Sequence, residues 1–187
     1  SRCGRFEVKI ISAPPRSLPT PGGGPDRVVR IVVRSSGVET SERPVGSVAA
    51  VRLVVSPEPH RPYPHKTTAR EGFDRALAAA GAAGADDGIL LVPGGWVAES
   101  AIWGLFWWEG GRLCAPPLDF GILPGVARGR LEELSPLSPS RATPADLVGR
   151  SLFVANAARG VVPVASLAGE SVPAAPETTR LAEAFWP

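Results

Sequence analysis

The sequence predicts an α+β protein with a mixed or barrel-like sheet. Short strand-like runs lie on both sides of an alanine-rich helical segment, and further strands and helices follow toward the C-terminus. This order is not the regular alternation of strand and helix that builds a doubly wound parallel sheet. The 21 glycines and 21 prolines exceed ordinary usage and predict many turns between short elements.

The N-terminal part contains β-like runs and a segment of chain breakers. Residues 6–11 form a possible short strand, and residues 13–25, rich in proline and glycine, predict a loop. Residues 28–34 and 48–55 are rich in valine and predict two strands. Residues 35–44 join them as a turn and a less regular strand.

A proline-rich segment separates this region from a predicted helix. Four prolines follow one another closely at Pro57, Pro59, Pro62 and Pro64. Proline restrains itself and the residue before it, which predicts an extended crossing between domains. Residues 71–83 then carry apolar side chains at helical spacing and end near Gly84. We therefore expect a shortened or partial small domain over residues 1–55, a linker over 56–65 and a large domain over 66–187.

After the helix at residues 71–83, the large domain is predicted to hold short strands joined by glycine turns, with three further helices. The predicted strands are residues 88–92, 97–99, 105–108, 112–115, 151–155 and 161–167. Tight turns are predicted at residues 93–95, 110–111 and 156–160, and a loop at 118–124. The predicted helices are residues 126–134, residues 144–148 with Thr143 as N-cap, and residues 177–185.

Composition excludes several classes of protein. The formal net charge is only +2 and the basic residues are scattered, so nothing indicates binding to nucleic acid, and the five tryptophans favour packing in a core or an interface. No apolar run approaches the ~20 residues that span a membrane. Two cysteines and two histidines provide neither a disulfide framework nor a metal site. We therefore expect a cytoplasmic protein without a metal.

Lys66 is the first candidate for chemistry, because Lys9 and Lys66 are the only lysines in the sequence. Lys66 lies between an extended segment and a predicted helix, where its side chain can point into a cleft. A lysine becomes a nucleophile when desolvation or a nearby cation lowers its pKa. The alternative is an ordinary solvated lysine, which is the usual state of this residue type.

Three other segments could bind a ligand. Glu99 ends a predicted strand, and a carboxylate there could keep a pyridine nitrogen protonated; an exposed acid is the alternative. Residues 121–128 form a glycine-bearing loop that opens a helix, where N–H groups and the helix dipole favour an anion. Residues 154–160 place Asn156 among small residues at a strand end, with an ordinary turn as the alternative.

Together these segments resemble the class IV aminotransferase family of pyridoxal-phosphate enzymes, which includes branched-chain and D-amino-acid transaminases and aminodeoxychorismate lyase. The resemblance covers about residues 51–167 and rests on PHKTT, DDGILLVPGGWVAES, FGILPGVARGRLEEL and LFVANAARGVVPV, in this order. The HKTT and NAARGVVPV segments look most like the lyase branch.

The resemblance implies pyridoxal 5'-phosphate as the cofactor. Lys66 would form the Schiff base with it and move protons on the substrate carbon, and Glu99 would pair with the pyridine nitrogen. The family fold, fold type IV, joins a small N-terminal domain to a larger barrel-like domain with the cofactor between them, usually in a homodimer. The substrate would be a small amino acid or an amino-substituted acid.

The resemblance also implies the residues around the cofactor phosphate. The backbone N–H groups of Val126 and Ala127, at the start of a helix, would bind it. Asn156 and Ala157 would lie against the phosphate or the nearby ring. Ala127 stands where the family often has a hydroxyl residue.

Three functions follow from this resemblance. The first is an aminodeoxychorismate lyase type of reaction, in which pyruvate is eliminated from an amino-substituted chorismate-like acid. The second is transamination of an amino acid by the same residues. The third is a catalytically degenerate homologue that acts as a binding or structural partner, which the short segment before Lys66 and the presence of Ala127 favour.

Overall fold

The computed structural model describes residues 27–34, 37–63, 65–66 and 69–186. The predicted strand at residues 6–11 and the predicted loop at 13–25 lie outside the described residues. The chain divides into two compact units. The first comprises the described residues up to Ser47 together with residues 65–69 where described, and the second comprises the remainder from Val48 onward. The predicted domain boundaries stay a prediction.

The first unit contains one antiparallel hairpin. Strand β1 (Arg27–Arg34) pairs with β2 (Gly37–Pro44) over eight residues in continuous register. The valine-rich run predicted β1, but β2 is more regular than its polar sequence suggested. The reason is that the ladder with β1 satisfies the backbone of β2 whatever the side chains are.

The second unit is built on one nine-stranded mixed sheet. Its strands are β3 (Val51–Pro59), β4 (Asp87–Val92), β5 (Trp96–Ser100), β6 (Gly104–Glu109), β7 (Arg112–Ala115), β8 (Leu137–Pro139), β9 (Leu152–Asn156), β10 (Gly160–Leu167) and β11 (Glu170–Ser171). Their order across the sheet is β5-β4-β3-β10-β9-β6-β7-β8, with β11 added at the end of β10. Parallel pairing joins β3 to both β4 and β10, and β7 to β8; the other neighbours are antiparallel.

The sheet curls into a half-barrel, which confirms the predicted α+β class and its barrel-like mixed sheet. Strand β10 joins the two halves, since its first part pairs with β9 and its last part pairs with β3. A register shift between Val164 and Ser166 lies within the pairing with β3, directly after the last residue that pairs with β9. Such an irregularity lets one strand turn between two sheet directions.

Three α-helices occur in the described part of the chain: α1 (Glu71–Ala82), α2 (Val126–Leu134) and α3 (Pro176–Ala184). Helix α1 packs on β3 and β4, and α3 packs on β10. The largest fully buried side chains are Trp107, Phe106 and Phe153, which lie on the central strands β6 and β9. No described helix has the length and apolar character needed to cross a membrane.

Several elements differ between the sequence prediction and the structure. The helix predicted at residues 144–148 is a single 3-10 turn, Ala145–Leu147, although Thr143 does accept a hydrogen bond from the N–H of Asp146 at 3.3 Å. So short a segment cannot offset the cost of helix nucleation. Strand β3 continues to Pro59 because a register shift after Val55 tolerates prolines in the ladder. The short strands β8 and β11 were not predicted.

Candidate functional site around Glu99

Glu99 lies on β5 and is buried, with only 9% of its surface exposed. Its carboxylate makes two hydrogen bonds, one on each oxygen. His60 Nε2 lies 2.9 Å from Oε1, and the Tyr63 hydroxyl donates to Oε2 at 3.0 Å. The interpretation of Glu99 as an exposed strand-end acid is therefore wrong. A buried carboxylate with two side-chain partners makes this position a candidate site.

The two donors belong to one short segment that the backbone fixes in place. The N–H of His60 donates to Leu91 O on β4 at 2.9 Å, and the N–H of Tyr63 donates to Gly121 O at 3.0 Å. Gly121 has φ +72°, and a Cβ on it would come within 2.4 Å of Pro62 Cβ. Only glycine therefore allows the loop before α2 to approach this segment so closely.

Tyr63 remains protonated and acts as a hydrogen-bond donor. Burial raises its pKa well above the ordinary value, and the charge of Glu99 and the hydrogen bond to it act in the same direction. Arg70 acts weakly in the opposite direction. The ring of Tyr63 also packs edge-on against Phe73 of α1, with 5.2 Å between centroids. Sequence reasoning missed both His60 and Tyr63 as partners of Glu99.

The loop that follows Glu99 is held by a buried carboxylate. Asp87, at the start of β4, accepts hydrogen bonds from the Ser100 hydroxyl at 2.6 Å and from the N–H groups of Ala101 and Ile102, each at 3.1 Å. Burial raises the pKa of Asp87, and its hydrogen bonds oppose that shift. The sequence analysis did not identify Asp87 as a buried residue. Its position directly before a continuous apolar strand was the available signal for burial.

Helix α2 begins with unsatisfied N–H groups. Gly125 is its N-cap and has no side chain to cap it, and the first intrahelical hydrogen bond runs from Gly129 N to Gly125 O. The first N–H groups of a helix have no partner within it, so those of Val126 and Ala127 are available to an anion. Val126 is 67% exposed, whereas Ala127 is buried. The start of α2 coincides with the predicted start.

Asn156, at the end of β9, organises its own turn. Its Oδ1 accepts hydrogen bonds from the N–H groups of Ala158 and Arg159 at 3.0 and 2.9 Å. Its Nδ2 donates to Ile102 O at 3.4 Å, in the loop that follows Glu99. The side-chain amide of Asn156 is therefore used inside the protein. A contact of Asn156 or Ala157 with a cofactor stays a prediction.

Lys66 belongs to the first unit and its side chain is exposed. Its predicted role as the lysine that binds the cofactor stays a prediction. The residues of the second unit that the structure brings together are the carboxylate of Glu99, its two donors and the turn that carries Asn156.

Comparison with known proteins identifies relatives of the chain. The sequence matches the profile described as Amino-transferase class IV over residues 11–167. No curated protein matched.

Several solved structures are similar. One is a putative branched-chain amino acid aminotransferase from Thermotoga maritima, with 26% identity, a TM-score of 0.73, and coverage of 85% of this chain and 64% of that one. Another is the branched-chain aminotransferase from Thermoproteus uzoniensis with norvaline, with 26% identity, a TM-score of 0.75, and coverage of 96% and 62%.

A third is the T.th. branched-chain amino acid aminotransferase in complex with N-(5'-phosphopyridoxyl)-L-glutamate, with 27% identity and a TM-score of 0.66. That match covers 72% of this chain and 51% of the other. The chain therefore matches between 51% and 64% of the length of these three proteins.

Proposed function

Since the profile match covers most of its length, the chain belongs to the class IV aminotransferase family, and we propose that it binds pyridoxal 5'-phosphate and moves a proton at the α-carbon of an amino acid or an amino-substituted acid. The buried carboxylate of Glu99 is the observation that carries this proposal. The similar T.th. structure contains a phosphopyridoxyl amino acid, which supports this cofactor for the family.

The residues of the second unit fit the two charged ends of this cofactor. Each oxygen of Glu99 accepts one hydrogen bond, and a carboxylate oxygen can accept a second, so the carboxylate can also receive a protonated pyridine nitrogen. The uncapped start of α2 offers N–H groups of Val126 and Ala127 to a phosphate. When bound, pyridoxal phosphate supplies an electron sink for the substrate carbon.

Within this proposal, each of the six predicted site residues has a role. Glu99 holds a positive charge on the pyridine nitrogen, which keeps the ring electron-poor. Lys66 binds the cofactor covalently and carries the proton to and from the substrate carbon. Val126 and Ala127 hold the phosphate through their N–H groups, while Asn156 and Ala157 line it or the ring. Homodimer formation and a place in the cytoplasm stay predictions from the sequence.

Transamination is the first reaction that we propose, because the three similar structures above are described as branched-chain aminotransferases. Elimination of pyruvate by an aminodeoxychorismate lyase type of reaction is the second. It is favoured by the HKTT segment around Lys66 and by the NAARGVVPV segment after Val154. Both reactions begin with removal of a proton by the same lysine.

Because the sequence contains only two lysines, one test can show which of them binds the cofactor. Protein treated with pyridoxal phosphate should show a visible absorption band, and borohydride should fix the cofactor to the peptide that contains Lys66. Lys66→Ala should lose both signals, whereas the matched control Lys9→Ala should keep them. The proposal that this chain is a catalyst would be wrong if Lys66→Ala kept the band, or if the parent showed no band at saturating cofactor.

A second assay separates the reactions. The loaded protein is given branched-chain amino acids with 2-oxoglutarate, and separately aminodeoxychorismate. Formation of glutamate supports transamination, and release of pyruvate supports the lyase. Binding of the cofactor without either product would favour the catalytically degenerate homologue.

A further inference from the structure

We propose that His60 and Tyr63 are positioning residues for Glu99, and that together they hold its carboxylate ionised and in one orientation. The inference rests on the proposed function, because it names the residues that prepare Glu99 for a protonated pyridine nitrogen. It assigns a task to a histidine and to the only tyrosine of the sequence.

His60 and Tyr63 contact the carboxylate of Glu99 from two sides. His60 approaches Oε1 at 2.9 Å and Tyr63 approaches Oε2 at 3.0 Å, so neither oxygen of Glu99 can rotate without losing a donor. All three side chains are withdrawn from water: His60 has no exposed side-chain surface, and Tyr63 is half-buried. Hydrogen bonds to a carboxylate in such surroundings favour its charged form.

The donors are held independently of Glu99. The backbone of His60 is bonded to β4 through Leu91, and the backbone of Tyr63 is bonded to Gly121 in the loop before α2. The ring of Tyr63 also packs on Phe73. Two pre-placed donors can therefore fix the carboxylate at little entropic cost, since they do not have to be ordered by it.

The unpaired Nδ1 of His60 indicates whether the proton between His60 and Glu99 lies on Nε2 or on the carboxylate. His60 Nδ1 is buried and has no hydrogen-bond partner among the described residues. If Glu99 carried the proton and donated it to Nε2, the neutral ring would place its own proton on Nδ1, where it would be buried and unpaired. A doubly protonated ring would have the same defect. The arrangement with a satisfied proton has Nε2–H donating to an ionised Glu99.

Other charged groups beside this cluster are engaged elsewhere. Arg70, at the start of α1, donates to Ala101 O at 2.8 Å and acts on Tyr63 through its charge. Asp87 on β4 is bonded to Ser100 and to the loop after it. The described structure therefore assigns the two direct contacts with Glu99 to His60 and Tyr63.

The first test follows the pyridine nitrogen rather than turnover. The parent, His60→Leu, Tyr63→Phe and Glu99→Gln are loaded with pyridoxal phosphate labelled with ¹⁵N in the ring, and its chemical shift reports protonation. His60→Leu and Tyr63→Phe should lower the protonated fraction, and each should weaken cofactor binding about tenfold or more, as loss of a hydrogen bond to a charged group does. His60→Gln, which retains a donor, should restore much of the signal.

A double-variant comparison separates positioning from general packing. In the Glu99→Gln background, His60→Leu should cause no further change in the ¹⁵N shift, because its effect passes through the carboxylate. Leu77→Ala, which loosens apolar packing of α1 and removes no hydrogen bond to Glu99, should leave the shift of the parent. Equal shifts in His60→Leu and the parent would overturn the proposal.

The second test needs no cofactor. Infrared spectra of the apo protein report the stretches of carboxylate groups, whose frequencies depend on the hydrogen bonds that they accept, and the difference from Glu99→Gln identifies the band of Glu99. Removal of both donors, in His60→Leu/Tyr63→Phe, should shift this band from its position in the parent. An unchanged band would refute the positioning role. Failure of the parent to bind pyridoxal phosphate would refute the proposed function alone and leave the infrared result decisive.

Discussion

Replacement of Asp87 by asparagine should destabilise the second unit, because every hydrogen bond of this carboxylate is one that it accepts. Oδ1 accepts from the N–H groups of Gly88 and Ala101, at 2.7 and 3.1 Å. Oδ2 accepts from the Ser100 hydroxyl and from the N–H of Ile102, at 2.6 and 3.1 Å. An amide has one oxygen and one NH₂ group, so it can serve only one of these pairs.

The less costly orientation places the NH₂ group at the Oδ2 position. Ser100 can then accept from the amide and donate to Trp103 O, which is already 3.2 Å away. The N–H of Ile102 has no such alternative and faces another donor. One unpaired, part-buried N–H and one lost charge-assisted bond together cost about 2–4 kcal/mol of unfolding free energy.

Urea unfolding at neutral pH, followed by tryptophan fluorescence, measures this loss. The matched control is Asp86→Asn, the same change one residue earlier, where the carboxylate is exposed and paired with Arg52 at 2.9 Å. Exposed ion pairs contribute little, so the control should lose much less stability. A loss in Asp87→Asn below about 1 kcal/mol, or one equal to that of the control, would refute the hydrogen-bond argument.

Two further predictions test the surroundings of the site. Gly121→Ala should destabilise the protein by about 2 kcal/mol or more in urea unfolding, because it combines a left-handed backbone with a clash against Pro62. Gly149→Ala, with φ +77° but open space at the Cβ position, should lose less, and an equal loss in both would contradict the clash. The hydrogen bond with Arg52 lowers the pKa of Asp86, so this pair stabilises the protein above the unfolded pKa, and the benefit is lost as pH falls through the lowered folded value. The stability difference between the parent and Asp86→Asn should therefore begin to shrink near the unfolded pKa of about 4 and vanish only below the lowered folded pKa, in unfolding measured across pH; a constant difference would contradict the linkage.

Elements with strong local signals were predictable from sequence. Strand β7 and helix α2 have the predicted bounds, since a Gly110–Gly111 turn with positive φ at both residues precedes the first and Gly125 opens the second. Strands β8 and β11 were missed, because segments of three and two residues become strands only when a neighbour supplies the ladder. The continuation of β3 through its prolines likewise depends on β4.

The candidate site likewise contains residues that the sequence indicated and residues that it did not. The pattern of the family pointed to Glu99 and to the start of α2, because these motifs are contiguous in the chain. His60 and Tyr63 lie 39 and 36 residues before Glu99, and nothing in their own segment indicates an acidic partner. Asp87 also contacts residues more than ten positions away.

The sequence by itself determined the class of fold, the family and most elements, because turns, caps and apolar periodicity act between near neighbours. Only the tertiary structure decided that Glu99 is buried, which groups donate to it, and that Asp87 holds the loop beside it. The physical reason is that burial and the pairing of polar groups depend on which distant strands meet, and within the second unit the curled sheet brings β4, β5 and the segment from His60 to Tyr63 into contact.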